Sequence, residues 1–164
     1  ESDNYSQQGE EASRSMHQLL DISQQMEGAI AGTTLRAFIE LTKVDHLIYK
    51  FEIYRVFMGL SQKAAGEFSN HTQCRLGKWY YEGAGKQQYS ALPGYRQIET
   101  PHRAVHTHGM QAVERYHAGD YHAAVNSLSE MERASMQVIA ELEHMATAGE
   151  ANGLALCEHD HTHD

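Results

Sequence analysis

The chain has 164 residues, enough for one ordinary domain or for a small domain with an extension. Its 13 basic against 22 acidic residues give a net charge of −9, which argues against nucleic-acid binding because phosphate neutralisation needs a basic face. No apolar stretch approaches the roughly 18 residues of a membrane span, so we expect no membrane segment in this sequence. The polar first residues and the missing initiator Met predict a fragment of a longer protein without a secretory signal.

The numbers of cysteines and histidines bear on two separate questions, the cellular compartment and the function. Two cysteines cannot build the multi-bridge framework of a small secreted domain, which favours a reducing, cytoplasmic compartment. Twelve histidines are far more than such a domain needs for packing, so they are the feature that a functional hypothesis must explain.

The first part of the chain predicts one long helix, from about residue 10 to about residue 65, because no proline interrupts residues 1–92. A seven-residue spacing indicates a coiled-coil seam, with a solitary surface helix as the alternative. The seam consists of Met16, Leu19, Ser23, Met26, Ile30, Thr33 and Ala37. A wider, more aromatic stripe follows and should face a core; it comprises Leu35, Phe38, Ile39, Thr42, His46, Tyr49, Ile53, Val56, Phe57 and Leu60.

Glycines and a proline divide residues 66–99 into short pieces, with a short helix at about 72–81 and another segment near 86–91. Thr100-Pro101 then supplies an N-cap and a first helical residue for a helix over 101–118. Its apolar stripe is His102, Val105, His106, Gly109, Ala112, Val113 and Tyr116.

Gly119-Asp120 ends that helix and caps a last helix over 120–147, which Gly149 and Gly153 should terminate. The heptads of the last helix run through Tyr121, Ala124 or Val125, Leu128, Met131, Ser135, Val138, Leu142 and Met145. The pattern predicts an all-α fold: an antiparallel helical bundle with a long N-terminal helix, expected to be dimeric.

Three histidines lie on stripes that should be buried. His102 and His106 are one helical turn apart, so both imidazoles lie on the same face, and His46 is on the leading helix. Cys74 opens the predicted short helix, where the helix N-terminus can stabilise a thiolate. One thiolate and three imidazoles make a zinc donor set, whereas the spacing alone leaves buried, hydrogen-bonded histidines as an equal alternative.

Three segments together resemble the chemoreceptor zinc-binding (CZB) domain: Asp45–Lys50, Cys74–Tyr80 and Pro101–His106. The resemblance covers roughly residues 35–147. It implies that His46, Cys74, His102 and His106 bind Zn²⁺ in a small helical bundle that is usually a homodimer. The family is found on bacterial chemoreceptors and on diguanylate cyclases.

The resemblance implies three parts of the chain. Residues 1–34 would be the end of a receptor-like coiled coil, 35–147 the zinc-binding bundle, and 148–164 a flexible tail rich in His and acidic residues. The tail is expected to be disordered, with loose metal binding as the alternative. Residues 7–13 also resemble, weakly, the Gln/Glu sites that receptor methylases modify.

The implied function is a cytoplasmic sensory or regulatory domain that responds to zinc, to hypochlorous acid, or to both. A helix shift would pass along the coiled coil to the chemotaxis kinase array through the receptor part outside this sequence. We expect no enzyme, because no nucleophile has an adjacent base and four protein ligands leave zinc no open position. The alternatives are a purely structural zinc site that drives dimerisation, and the regulatory domain of a diguanylate cyclase.

Two further expectations concern the surroundings of the site. His71, three residues before Cys74, is either a competing ligand or, more simply, a residue of a surface loop. Trp79 and Tyr80 are expected to pack over the site rather than to contact a ligand.

Overall fold

The computed structural model describes residues 2–158, with side chains from 33 to 152 and for part of 14–26. Within 2–158 the chain is helical and contains no strand, which confirms the all-α prediction. The long helices are α1 (Ser2–Phe57), α3 (Glu99–His117) and α4 (Tyr121–Glu158), and α2 (Arg75–Tyr81) is short. The linking segments contain 3₁₀ turns at Ala65–Glu67 and Arg96–Ile98 and a π-helical turn at Gly85–Tyr89.

Helix α1 ends earlier than the sequence predicted. Gly59 has a φ of +72°, and the N–H of Leu60 donates to the Arg55 carbonyl at 2.9 Å, which is the glycine-based helix ending. The predicted end near residue 65 was therefore wrong, and Leu60 is exposed beyond the helix rather than in the core stripe.

Helices α3 and α4 form the predicted antiparallel pair. Gly119 adopts a φ of +81°, and the Asp120 carboxylate accepts a hydrogen bond from the N–H of Ala123 at 3.0 Å. These two residues end one helix and cap the next, as their types predicted.

The core lies where α1, α3 and α4 meet, with α2 and its flanking turns closing one side. It buries apolar residues from every helix, including Leu35, Ile39, Ile53, Val56, Leu76, Trp79, Ile98, Val105, Val113, Met131, Val138, Leu142 and Met145. Gly109 lets α3 approach α1 closely, because a Cβ there would lie 2.7 Å from the Ile53 side chain. This close approach brings the histidines of α3 against α1.

Two other boundaries differ from the prediction. Helix α3 begins at Glu99, directly after the 3₁₀ turn, so Thr100 lies inside the first turn and is not the N-cap. Helix α4 continues through Gly149 to Glu158, because Gly149 packs against α1: a Cβ there would lie 2.7 Å from Leu35 Cδ2. The prediction that Gly149 and Gly153 end the helix was wrong, because α4 runs through both.

The predicted stripe of α4 is buried from Ala124 onward, with Leu128 half-buried, but Tyr121 is 61 % exposed and is not a core residue. Ala124 takes the inward position and Val125 the outward one. The first turn of α4 therefore lies beyond the end of the core.

Ion pairs fix α1 against α4. Glu143 accepts hydrogen bonds from Arg36 and Lys43, both at 2.7 Å, and Lys50 bonds Glu132 at 2.9 Å. These contacts extend along about four turns of α1 and fix its rotation about its own axis. As a result, His46 faces the core. The N-terminal seam differs: Leu19 and Met26 are 62 % and 59 % exposed. The side chains of Met16, Ile30 and residues 7–13, and all of residues 159–164, lie outside the described part of the chain.

Candidate metal centre

Three buried histidines meet between α1 and α3. His46 projects from α1, and His102 and His106 project from successive turns of α3. One ring nitrogen of each lies within 4.8 Å of the others. All three side chains are at most 5 % exposed. Two helices distant in sequence thus supply the nitrogen donors of one compact cluster.

Backbone carbonyls orient two of these rings. The Nδ1 atom of His106 lies 2.7 Å from the Ser69 carbonyl oxygen, and that of His46 lies 3.4 Å from the Thr42 carbonyl oxygen. A carbonyl can only accept, so each Nδ1 carries the proton and each Nε2 keeps its lone pair. This is the second-sphere arrangement that orients metal-binding histidines.

The Nε2 atom of His46 is the informative one. It is buried and, among the described residues, has no hydrogen-bond partner. A buried polar atom without a partner costs about 1–3 kcal/mol, so native structures rarely leave one unless a ligand or water satisfies it. A metal ion in the histidine cluster satisfies it, so the cluster fits zinc.

Cys74 reaches the cluster through His102. It is the N-cap of α2, where Sγ accepts the N–H of Gly77 at 3.4 Å, as the sequence predicted for a thiolate at a helix N-terminus. Its Sγ lies 3.2 Å from His102 Nε2. Sulfur and nitrogen bound to one tetrahedral zinc are about 3.6 Å apart. The present contact is a shorter, hydrogen-bond contact, and it places the sulfur next to the three-histidine cluster.

A tight turn before α2 sets the position of the sulfur. The Asn70 side chain accepts the N–H groups of Thr72 and Gln73, at 2.9 and 3.1 Å. The turn then folds back onto α2, where a Cβ on Gly77 would lie 1.9 Å from the His71 carbonyl oxygen. Only glycine fits at this position, and the contact holds Cys74 toward α3.

The electrostatics of the cluster keep its histidines neutral. Burial lowers the pKa of all three histidines. It lowers that of His46, it lowers that of His102 to about 2, and it lowers that of His106 to about 4. Neutral imidazoles offer lone pairs to a cation at any pH near 7. Burial also raises the pKa of the Cys74 thiol, against the lowering effect of the Gly77 N–H; a bound cation favours the thiolate.

One side of the site opens into a cavity of about 310 Å³. Its lining includes Cys74, His46 and His106, together with Asp45 and Arg75, which form an ion pair at 2.7 Å. Cys74 itself is half-buried. Small polar molecules can therefore approach the sulfur from solvent while the histidines stay covered.

Aromatic packing surrounds the site, as predicted for Trp79 and Tyr80. Trp79 stacks on Phe38 with ring centroids 4.7 Å apart, and Tyr80 stacks on Tyr95 at 4.4 Å. Both residues are buried in the core: Trp79 packs α2 against α1, and Tyr80 packs α2 against the segment that precedes α3.

Two backbone groups that orient the site could not be predicted from the sequence. The backbone carbonyls of Thr42 and Ser69 orient the imidazoles, and any residue type offers a carbonyl. His71 lies at the periphery: its ring centroid is 6.2 Å from that of His102 and 6.0 Å from that of Tyr81.

Residues 46–113 match the family model of the chemoreceptor zinc-binding domain, and this span contains His46, Cys74, His102 and His106. The chain contains a chemoreceptor zinc-binding domain. Zinc is the cofactor of this CZB domain, and the His/Cys cluster fits it. The family is a zinc-binding sensory family, not a known catalytic one.

The family match is narrower than the 35–147 expected from the sequence, although the helical packing of the CZB domain continues into α4. No curated protein and no solved structure matches the chain. None of the helices in the described range is both long and apolar enough to cross a membrane.

Proposed function

We propose that His46, Cys74, His102 and His106 bind one zinc ion and that the domain is a cytoplasmic sensory module of a bacterial chemoreceptor. The observation that carries the ligand set is the buried, unpartnered Nε2 of His46 beside the paired histidines of α3. The Sγ–Nε2 separation of 3.2 Å between Cys74 and His102 supports the sulfur as the fourth ligand. Four protein ligands leave no open position for a catalytic water, so the proposed role is regulatory.

The proposed signals are zinc availability and oxidation of Cys74. When bound, zinc supplies a cation that keeps Cys74 as a thiolate. Hypochlorous acid oxidises the thiolate by two electrons: an S–O bond forms, chloride leaves, and the products are the sulfenic acid and Cl⁻. The half-buried sulfur beside the 310 Å³ cavity is accessible to so small an oxidant. A sulfenic acid is a weaker zinc ligand, so oxidation of Cys74 loosens the site, as does a fall in the zinc concentration.

The proposed output is a movement of α1. His46 ties α1 to α3, and the Asp45–Arg75 ion pair ties it to the Cys74 segment. When the site loosens, these ties weaken and α1 is free to shift along the bundle. In the proposed architecture 35–147 is the sensory bundle and 1–34 the coiled coil, through which the shift reaches the chemotaxis kinase array indirectly.

A homodimer is part of this proposal, and the outer face of α1 supports it. Val44, Leu47 and Phe51 continue the heptad register of Leu19 and Met26, and all five are at least half exposed. Each of the first three lies about 200° around the helix from a residue of the buried stripe, at ~100° per residue. One side of α1 thus faces its own bundle, and the other presents the exposed apolar side chains of Val44, Leu47 and Phe51 to a second copy.

The test compares zinc binding before and after one equivalent of hypochlorous acid. Zinc affinity is measured by chelator competition in the parent, Cys74→Ser and His106→Ala. The matched controls are Cys157→Ser, which removes the other cysteine, and His117→Ala, an exposed histidine on α3. We expect about tenfold or greater loss of affinity in the two site variants and none in the controls. If Cys74→Ser changes neither the zinc affinity nor the oxidant response, the proposal is wrong.

Chelation at equilibrium separates a sensor from a purely structural zinc site. A sensor should remain helical without zinc and show altered mobility of α1, measured by hydrogen exchange. Cooperative loss of helicity on metal removal would instead assign zinc a structural role.

A further inference from the structure

His71 is a fifth donor beside the four proposed ligands. Its ring centroid lies 6.2 Å from that of His102, which equals the separation of His46 and His106 within the cluster. The ring contacts Tyr81 edge-on and is half-buried. Within the described part of the chain, neither of its ring nitrogens is hydrogen-bonded. An imidazole outside the three-histidine cluster, but next to one of its members, thus has a lone pair available.

We propose that His71 replaces the Cys74 sulfur as the fourth zinc ligand when Cys74 is oxidised. The inference rests on the proposed ligand set and adds the consequence of oxidising its sulfur. Four imidazoles would then hold the zinc, and the movement of α1 would begin with a rearrangement of the 69–74 segment, which the Asp45–Arg75 ion pair joins to α1, rather than with release of the metal.

The position of His71 in the chain suits this exchange. It lies three residues before Cys74 on the same turn, so the outgoing and incoming donors belong to one segment. The Sγ of Cys74 also lies 3.7 Å from the His71 carbonyl oxygen, a contact that oxidation of the sulfur must alter. Motion of this short segment moves both donors together.

The neighbouring charges do not oppose the exchange. The charged groups near His71 are the Arg103 guanidinium and the Glu99 carboxylate, which have opposite signs. Arg103 itself is bound to Glu99 at 2.7 Å. In the oxidation step the thiolate and HOCl yield sulfenic acid and chloride, and His71 supplies only a lone pair.

The experiment uses the full chain carrying Cys157→Ser, so that Cys74 is the single thiol, with Co²⁺ in place of zinc. A sulfur-to-cobalt charge-transfer band reports the Cys74 bond, and the d–d bands report four-coordination. Each protein is measured before and after one equivalent of hypochlorous acid, with chelator competition for affinity. The variants are the parent, His71→Ala and the control His117→Ala.

After oxidation we expect the parent to lose the charge-transfer band but keep the d–d bands of a four-coordinate ion. The oxidised His71→Ala protein should bind metal about tenfold or more weakly than the oxidised parent. In the reduced state the two should bind alike, with the same thermal unfolding, and His117→Ala should match the parent in both states.

Three results would overturn the exchange while leaving the proposed ligand set intact. They are equal release of metal by the oxidised parent and His71→Ala, equal retention by both, and weak binding by His71→Ala already in the reduced state. A reduced parent without the charge-transfer band would instead refute Cys74 as a ligand, and the exchange with it.

Discussion

Replacing Gly77 with alanine perturbs the turn that positions Cys74. The new Cβ would lie 1.9 Å from the His71 carbonyl oxygen and 2.8 Å from Thr72 Cα. Real Cβ contacts are essentially never below 3.0 Å, so one of the two segments must move by more than 1 Å. Both contacted atoms are backbone, so no change of side-chain rotamer relieves the clash.

The magnitude follows from that displacement. Overpacking costs about 1–3 kcal/mol, and a clash with backbone belongs at the upper end of that range, so we expect the free energy of unfolding to fall by about 3 kcal/mol. The shift also moves the Cys74 sulfur, which lies 3.2 Å from His102 Nε2. Zinc affinity should therefore fall about tenfold or more, as it does when a support of a metal ligand is lost.

The assay is urea denaturation with and without zinc, together with chelator competition for zinc affinity. Gly66→Ala is the matched control, because nothing lies within 4 Å of its Cβ position and its φ is not positive. It should be neutral or stabilise the fold by about 0.4–1 kcal/mol. The reasoning is refuted if Gly77→Ala and Gly66→Ala give the same unfolding free energy and the same zinc affinity.

Three other predictions test the packing, the titration and the dimer. Alanine in place of glycine within an exposed helix increases the free energy of unfolding by ~1 kcal/mol. Gly149→Ala should not produce this increase, because the new Cβ would meet the Leu35 side chain; a clear rise in Tm would contradict the packing of α4 against α1 at this position. Without metal, the free energy of unfolding should decrease between pH 7 and pH 5. The pKa of His106 is about 4 when folded and ~6.5 when unfolded, so the unfolded chain takes up the proton first. Urea titrations in chelator measure this decrease, and equal stability at both pH values would refute the burial of neutral histidine. Phe51→Glu should weaken the proposed dimer in sedimentation, whereas Met136→Glu on α4, where the native side chain is similarly exposed, should not; equal effects would exclude α1 as the seam.

Features that depend on a few neighbouring residues were predictable from the sequence. The Gly119-Asp120 pair ends α3 and caps α4 because glycine adopts a positive φ and aspartate accepts backbone N–H groups. The i, i+4 spacing of His102 and His106 places both rings on one face of any helix. The zinc donor set therefore rested on local geometry and on the resemblance to the CZB domain, not on long-range spacing.

Features that depend on packing between distant segments were not predictable. Gly149 resembles a helix ending in the sequence, yet it lies inside α4 because Leu35 of α1 occupies the space that a side chain would fill. Tyr121 fits the heptad pattern, yet it is exposed because the core ends before the first turn of α4. Neither outcome is encoded in the nearest neighbours of these residues.

The sequence by itself thus determined the helices, most of their buried faces and the types of donor available to a metal. The tertiary structure decided which donors meet: His46 reaches His102 and His106 only because α1 is held against α3 and α4. It also brought Cys74 to His102 through the turn that packs on Gly77, and placed His71 beside them. The physical reason is that hydrogen bonds and dihedral preferences act along the chain, whereas a metal site requires side chains from distant segments to converge within a few ångströms.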